Sequence, residues 1–204
     1  MAGIEKLEGK VLARSLSMLN EVTDTLDRYK IQYSLDGGTA LGVIREGRLL
    51  PWDTDMDIAI DSSQLIELKP ALWALFFKGY RIRIRRLRTA AYPISEGAVR
   101  VIKVWRRKWL FFKGPEMLDI FVRHKDADLC YWILGGDKKS QRVALNSMPV
   151  KFHDELKKIL FNNKYFYIAK DDDSFLTYRY GEWRTPVKQW DAFKNDGAIQ
   201  QKAK

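Results

Sequence analysis

The chain is poor in the residues that build disulfides and zinc sites. It has one cysteine, Cys130, and two histidines, His124 and His153, in 204 residues. One thiol forms no internal disulfide, and one Cys with two His falls short of a dedicated Cys/His zinc site. No run of about 18 uncharged apolar residues occurs, so no transmembrane helix is expected. The opening MAGIEKLEGKVLARS carries acids early and no unbroken apolar block. It does not read as a secretory signal. A reducing, cytoplasmic location is the expectation, with a free structural thiol at Cys130.

What is present argues for a folded domain. The hydrophobic fraction is 46% and the aromatic fraction 13%, which excludes a disordered chain. The length suits a single domain over 1–204. The formal net charge is +10, but the excess is local. Residues 78–113 hold twelve basic residues and one acid, Glu96, a balance of +11. The rest of the chain holds 24 basic and 25 acidic residues, or −1. One stretch therefore carries the whole excess, and a polyanionic partner is expected to meet it there.

Apolar spacing outlines the elements. Leu12, Leu16, Leu19, Val22, Leu26 and Tyr29 recur at helical spacing, predicting an amphipathic helix over 7–30. Ile31–Leu35 reads as a short strand, and Gly37-Gly38 breaks it before a short helix that Thr39 is expected to cap. Asp55–Ile60 alternates with period 2, a strand signature. Ser62 or Ser63 is the expected cap of a helix running to about Phe77, with Pro70 kinking or dividing it. Tyr80–Leu87, Ala98–Trp105 and Met117–Val122 read as further strands. Leu156–Phe161 and Lys164–Ala169, joined by Asn162-Asn163, read as a hairpin. Asp171–Asp173 start a last short helix that Gly181 ends, and the polar tail after about Asn195 is expected to fray. The fold class is α+β, a mixed or antiparallel sheet with flanking helices, an N-terminal helix, and a C-terminal β-hairpin plus short helix.

The acidic run Asp53-Thr54-Asp55-Met56-Asp57-Ile58 is the sharpest feature. On a strand, Asp55 and Asp57 share a face about 7 Å apart. Like charges that close repel unless a cation or an arginine lies between them. Oxygen donors suit Mg²⁺ or Mn²⁺. Asp119 sits in the otherwise apolar run Met117–Val122, where a lone carboxylate needs a partner or a cation. If the two strands are neighbours, three carboxylates converge. The alternative is a solvated edge strand with an acidic face.

Ser34-Leu35-Asp36-Gly37-Gly38-Thr39 is a strand–turn–helix junction. Its paired glycines let backbone N–H groups approach a phosphate at a helix start. Thr39 is a candidate donor to that phosphate and Arg45 a candidate clamp. A plain tight turn is the simpler reading of Gly-Gly-Thr alone. Arg81, Arg83 and Arg85 share one strand face and suit a polyanion. Trp105 and Trp109 interleave with Arg106, Arg107 and Lys108, a mixture also found at lipid interfaces. Lys103 is the expected donor-phosphate contact from this region. Tyr180, Gly181, Trp183 and Pro186 either close the site or form a helix C-cap with core aromatics. His124 and His153 have no partners at ligand spacing.

The order of these motifs resembles the nucleotidyltransferase-fold signature: a Gly-Gly-(Ser/Thr) turn, an Asp-x-Asp strand, and a third acid on a later strand. More closely, DGGTALGVIREGRLLPWDTDMDIAI at 36–60 resembles the signature of the LicD/fukutin-related family. Gly38, Thr39, Leu41, Gly42, Arg45, Gly47, Pro51, Trp52, Asp53, Asp55 and Asp57 carry the match. LDIFV at 118–122 resembles the family's later Asp-Ile-Phe segment, and YRYGEWRTP at 178–186 its closing Tyr-Gly signature. The likeness runs over roughly residues 12–190. Glu46 stands where a His is common, Arg48 where Gly is usual, and Thr54 where an Asp is frequent.

This resemblance implies a phosphotransferase. It would move a phospho-alcohol, of phosphocholine or phospho-alditol type, from a CDP-activated donor to a hydroxyl of a glycan or glycolipid acceptor, releasing CMP. Asp55, Asp57 and Asp119 would be the catalytic and metal-binding residues, with Mg²⁺ or Mn²⁺. Gly37, Gly38, Thr39, Arg45, Trp52, Asp53 and Lys103 would bind substrate or nucleotide. Peripheral contact with an anionic membrane through 78–113, at the inner face, is a further expectation, and nucleic acid is the weaker one. The competing readings are a strict nucleotidyltransferase moving NMP from an NTP to RNA, protein or a small molecule, and a non-catalytic polyanion- or membrane-binding module.

Overall fold

The computed structural model describes residues 5–108, 112–135, 142–187 and 190–202. The first amphipathic stripe becomes α1, Gly9–Arg28, whose buried Met18, Leu19, Val22 and Leu26 pack against the main sheet. A short strand β1, Tyr33–Leu35, leads into α2, Gly37–Glu46, and then β2, Met56–Asp61. The expected long helix is divided upstream of Pro70. A 3-10 turn spans Ser62–Leu65, and α3 spans Leu68–Phe77. Pro70 thus falls in the first turn of α3, where its missing N–H has no intrahelical acceptor to lose. Asp61, not Ser62 or Ser63, caps the 3-10 turn by accepting from the Ser63 N–H at 2.8 Å.

The chain continues as β3 (Tyr80–Arg86), β4 (Val99–Lys108), β5 (Phe112–Asp126), β6 (Leu129–Gly135) and β7 (Val143–Pro149). A four-residue helix α4 (Lys151–Asp154) precedes the hairpin β8 (Leu156–Phe161) and β9 (Lys164–Ala169). Helix α5 (Asp172–Tyr180) and strand β10 (Ile199–Lys202) complete it. Trp109 lies outside the described residues. No helix among the described residues is long and apolar enough to cross a membrane.

Eight strands form one mixed sheet, in the order β1-β2-β5-β6-β7-β10, with β4 also pairing β5 and carrying β3 beyond it. Long β5 is the spine. It pairs parallel with β2 over 118–123, antiparallel with β4 over 112–121, and antiparallel with β6 over 124–126. The parallel β2–β5 pair demands a long crossover, which α3, β3 and β4 supply.

Period-2 alternation gives this sheet two different faces. Met56, Ile58, Ile60, Ile102, Val104, Leu118, Ile120 and Val122 are buried in one apolar core with the inner residues of α1. Each such side chain contributes about 1.5–3 kcal/mol by leaving water. Asp57, Asp119, Phe121, Arg123, Lys103, Arg81, Arg83 and Arg85 alternate with them, and so point to the other face.

The tail does not fray where fraying was expected. β10 pairs with β7, and Asp196 and Ala198 are buried. A buried chain of ions explains this. Asp196 accepts from Arg179 at 2.6–2.9 Å, Arg179 donates to Asp36 at 3.0 Å, and Asp36 also accepts from Arg123. The Arg123 guanidinium lies 3.7 Å from the Trp132 ring centroid. Burial alone pushes Asp36 upward, but Arg123 and Arg179 outweigh it and hold the carboxyl below the usual range. The network joins α2, β5, α5 and the tail. Removing one member leaves buried charge uncompensated. Asp36→Ala should therefore cost about 3–5 kcal/mol of stability in urea denaturation. A loss under about 0.5 kcal/mol, the scale of an ordinary surface change, contradicts this role.

Candidate functional site

Parallel pairing of β2 with β5 sets Asp57 directly beside Asp119, and antiparallel β4 sets Lys103 beside Asp119. Arg83 is next across the sheet, opposite Lys103. One row thus reads Asp57, Asp119, Lys103, Arg83. Asp55 lies two residues before Asp57, and carboxylate oxygens of Asp55, Asp57 and Asp119 all lie within 4.8 Å of one another. The ammonium of Lys103 donates to Asp119. The three carboxylates together carry a formal −3, which the Lys103 ammonium offsets only in part. The donors are all oxygen, which fits a divalent ion such as Mg²⁺ or Mn²⁺.

Electrostatics records the crowding. Burial, then Asp119 and Asp53, push Asp55 up to about 7. Burial, then Asp55 and Asp119, push Asp57 well above the carboxylate range. Burial also raises Asp53.

The Gly-Gly turn closes over these acids. At Gly37, φ is +54°, and a Cβ would lie 2.3 Å from Asp57 Oδ2; at Gly38 it would lie 2.1 Å from Asp53 Oδ2. The two glycines are needed because the start of α2 packs directly on the two carboxylates. Thr39 is not the helix cap. Asp36 holds that position, and the buried Thr39 hydroxyl oxygen accepts the Asp57 N–H at 2.9 Å. Its observed part is to hold the Asp-x-Asp strand.

A cavity of about 550 Å³ opens beside the acids. Gly37, Gly38, Arg45, Trp52, Asp53 and Asp57 line one side. Trp132 from β6 and Tyr180, Glu182, Trp183 and Trp190 from the C-terminal segment line the rest. Asp55, Asp119 and Lys103 adjoin it through the carboxylate cluster rather than in its wall. Arg45 is already engaged: Glu46 accepts from it at 2.6 Å, and it donates to the Trp183 carbonyl at 3.1 Å. Glu46 also binds Arg48 at 2.9 Å, so the unusual residue after the arginine serves as its counterion. Tyr180 and Trp183 both pack into the core and line the cavity, uniting the two readings of the C-terminal motif.

Sequence reasoning passed over Asp36, Arg123, Arg179, Asp196 and Trp132. Arg123 had a signal: 119, 121 and 123 fall on one strand face. Asp196, sixteen residues beyond Tyr180, had none. Cys130 is buried, and burial pushes its thiol to about 12, as suits an inert thiol. His124 meets the Val99 carbonyl at 2.9 Å, and His153 lies 3.6 Å from Asp61.

The raised Asp55 value makes a stability prediction. A carboxyl whose folded value lies above its unfolded one favours the protonated folded state. That stability is full below the ordinary Asp range and is lost as pH rises through about 7. In chelator at about pH 8, Asp55→Asn should exceed wild type by at least about 1 kcal/mol. The gain should disappear near pH 4, measured by urea denaturation. Identical pH dependence in the two proteins contradicts the crowding.

Comparison with known proteins shows the family. A family model described as LicD/FKTN/FKRP, nucleotidyltransferase domain, matches residues 30–168. An uncharacterised protein of Rickettsia typhi is 28% identical over 178 residues, 83% of this chain and 47% of that protein. One from Rickettsia prowazekii is 25% identical over 184 residues, 87% of this chain and 58% of that protein. The chain spans about half the length of these curated relatives. The lipopolysaccharide cholinephosphotransferase LicD of Haemophilus influenzae is 46% identical over 43 residues, 21% of this chain and 16% of that enzyme. A solved structure of ANT(2″)-Ia in complex with adenylyl-2″-tobramycin has a TM-score of 0.47 and 13% identity, covering 87% of this chain and 82% of that one. The Gly-Gly turn, the Asp-x-Asp strand and the third aspartate all fall within 30–168, and the chain belongs to the LicD/FKTN/FKRP nucleotidyltransferase-domain family.

Proposed function

We propose that this domain transfers a phospho-alcohol, of phosphocholine or phospho-alditol type, from a CDP-activated donor to a glycan hydroxyl, releasing CMP. The observation that carries the reading is the convergence of Asp55, Asp57 and Asp119 beside the cavity, in a domain of this family. Phosphoryl transfer depends mainly on positioning and charge neutralisation. The three carboxylates would hold Mg²⁺ or Mn²⁺, which would neutralise phosphate charge when bound.

The chain's own residues would divide the remaining work. The aromatic wall of Tyr180, Trp183 and Trp190 offers ring faces for the cytosine, and half-exposed Trp52 guards the rim. The first turn of α2, bare at Gly37 and Gly38, presents backbone N–H groups and the positive end of the helix dipole to a phosphate. Buried Lys103, bonded to Asp119, and exposed Arg83, next in the row, would supply positive charge beside the acids. The acceptor hydroxyl would attack the phosphorus bearing the alcohol. The new bond joins that oxygen to phosphorus, the bridging P–O bond breaks, and CMP leaves with the electron pair. Carboxylate oxygens of the cluster are the acceptors for the hydroxyl proton.

The acceptor is proposed to be a glycan or glycolipid met at the cytoplasmic side. The test is product analysis. The protein is incubated with Mg²⁺, an acceptor extract and CDP-choline, CDP-ribitol, CDP-glycerol, CTP or ATP. CMP release from one of the CDP-alcohols is expected, reduced at least about 10³-fold by Asp57→Asn. Pyrophosphate release from CTP or ATP, without CMP from any CDP-alcohol, overturns the reading in favour of nucleotidyl transfer. Arg83→Glu should lower the rate about tenfold while leaving the fold intact; an unchanged rate removes Arg83 from the site.

A further inference from the structure

We propose that the exposed aromatic face of α3 docks on an anionic lipid bilayer. This inference stands apart from the transferase reading, because it uses no residue of the cavity or the carboxylate cluster. Helix α3 buries Leu68, Ala71 and Leu75 and turns a second apolar stripe outward. Ile66, in the turn just before the helix, is joined by Trp73, Phe76 and Phe77, which are spaced by three and four residues on one helical face. They are 71%, 62%, 42% and 79% exposed. Their three rings touch one another: Trp73 stacks on Phe77 with centroids 6.2 Å apart, and Phe76 meets both edge-on at 5.9 and 5.7 Å. A folded chain that leaves three large rings clustered in water is showing an interaction surface.

The surroundings choose the occupant. Lys69 lies within the stripe, one turn before Trp73, and is exposed. The Arg107 guanidinium sits 4.6 Å from the centroid of the Phe76 ring and donates to the Phe76 carbonyl, joining α3 to the end of β4. Exposed Lys108 follows on that strand. The segments 66–78 and 106–108 together hold five basic residues and one acid, Glu67. Aromatic rings inside a basic rim match the two layers of an anionic membrane surface, with apolar chains just below phosphate headgroups. A protein partner's core contact would not call for the positive rim. Helix α3 lies against β3 on the helical side of the sheet, with the stripe turned away from it, whereas the carboxylates face the other side. Docking there leaves the cavity open.

The experiment is co-sedimentation of the whole chain with vesicles of phosphatidylcholine, alone or with phosphatidylglycerol. Wild type should bind the anionic vesicles at least about tenfold more strongly than the neutral ones. Trp73→Ser with Phe77→Ser should lower that binding at least about tenfold, with unchanged circular dichroism and urea midpoint. Phe77→Ser alone is the milder variant should the pair disturb the fold. Lys69→Glu with Lys108→Glu should also weaken binding. Absent binding by wild type, equal binding to neutral vesicles, or unaltered binding by the aromatic variants overturns the proposal. So does a wild-type dimer that Phe77→Ser converts to monomer, because a second copy would then be the occupant.

Discussion

Three carboxylates held within 4.8 Å of one another repel, and the domain is arranged around holding them there. At about 4 Å and an effective dielectric of about 20, each like-charged pair costs about 4 kcal/mol. Lys103 offsets part of this through Asp119. Burial first, and then this repulsion, raise the proton affinities of Asp55 and Asp57. A cluster this unfavourable persists only because covalent and packing constraints leave it no escape. β2 and β5 pair in a register that their apolar inner faces dictate, and that register sets Asp57 beside Asp119. A one-residue slip would turn Ile58 and Ile120 into water and the acids into the core.

The surrounding devices fix the cluster from its other sides. Thr39 holds the Asp57 backbone, while Gly37 and Gly38 bring α2 against the acids with no Cβ between. The buried chain Arg123–Asp36–Arg179–Asp196 pins the start of α2 to β5 and to the C-terminal segment. That segment supplies the aromatic wall of the cavity, and Arg45 ties it back to α2 through the Trp183 carbonyl. The acids, the wall and the turn thus share one rigid frame, as positioning chemistry requires.

Much of this was legible in the sequence, for identifiable reasons. Period-2 alternation placed Asp55 and Asp57 on one face and marked Asp119 as a carboxylate in an apolar run. The unbroken motif from Gly38 to Asp57 gave the turn and the strand in their correct order. Side-chain partners were harder. Thr39 was expected to cap the helix, but Asp36 holds that position and the Thr39 hydroxyl oxygen accepts from the Asp57 backbone; Arg45, a candidate clamp, also has Glu46 as a counterion. Such pairings depend on which residues meet across the fold. Asp196 illustrates the limit. Its local context is polar and suggests a loose tail, but the buried Arg179 guanidinium, seventeen residues upstream in the cavity wall, claims it. Pro70 suggested a kinked or divided helix; the chain is divided, a few residues earlier than the proline, which sits in a first turn.

The account stands on the carboxylate cluster acting as a divalent-ion site, and direct ion binding tests that most simply. Titration of Mn²⁺ into the wild-type chain, followed by electron paramagnetic resonance of the free ion, should show saturable binding. Asp57→Asn and Asp119→Asn should each abolish it while the urea midpoint shows both variants folded. Mn²⁺ bound equally by wild type and both variants would contradict the account.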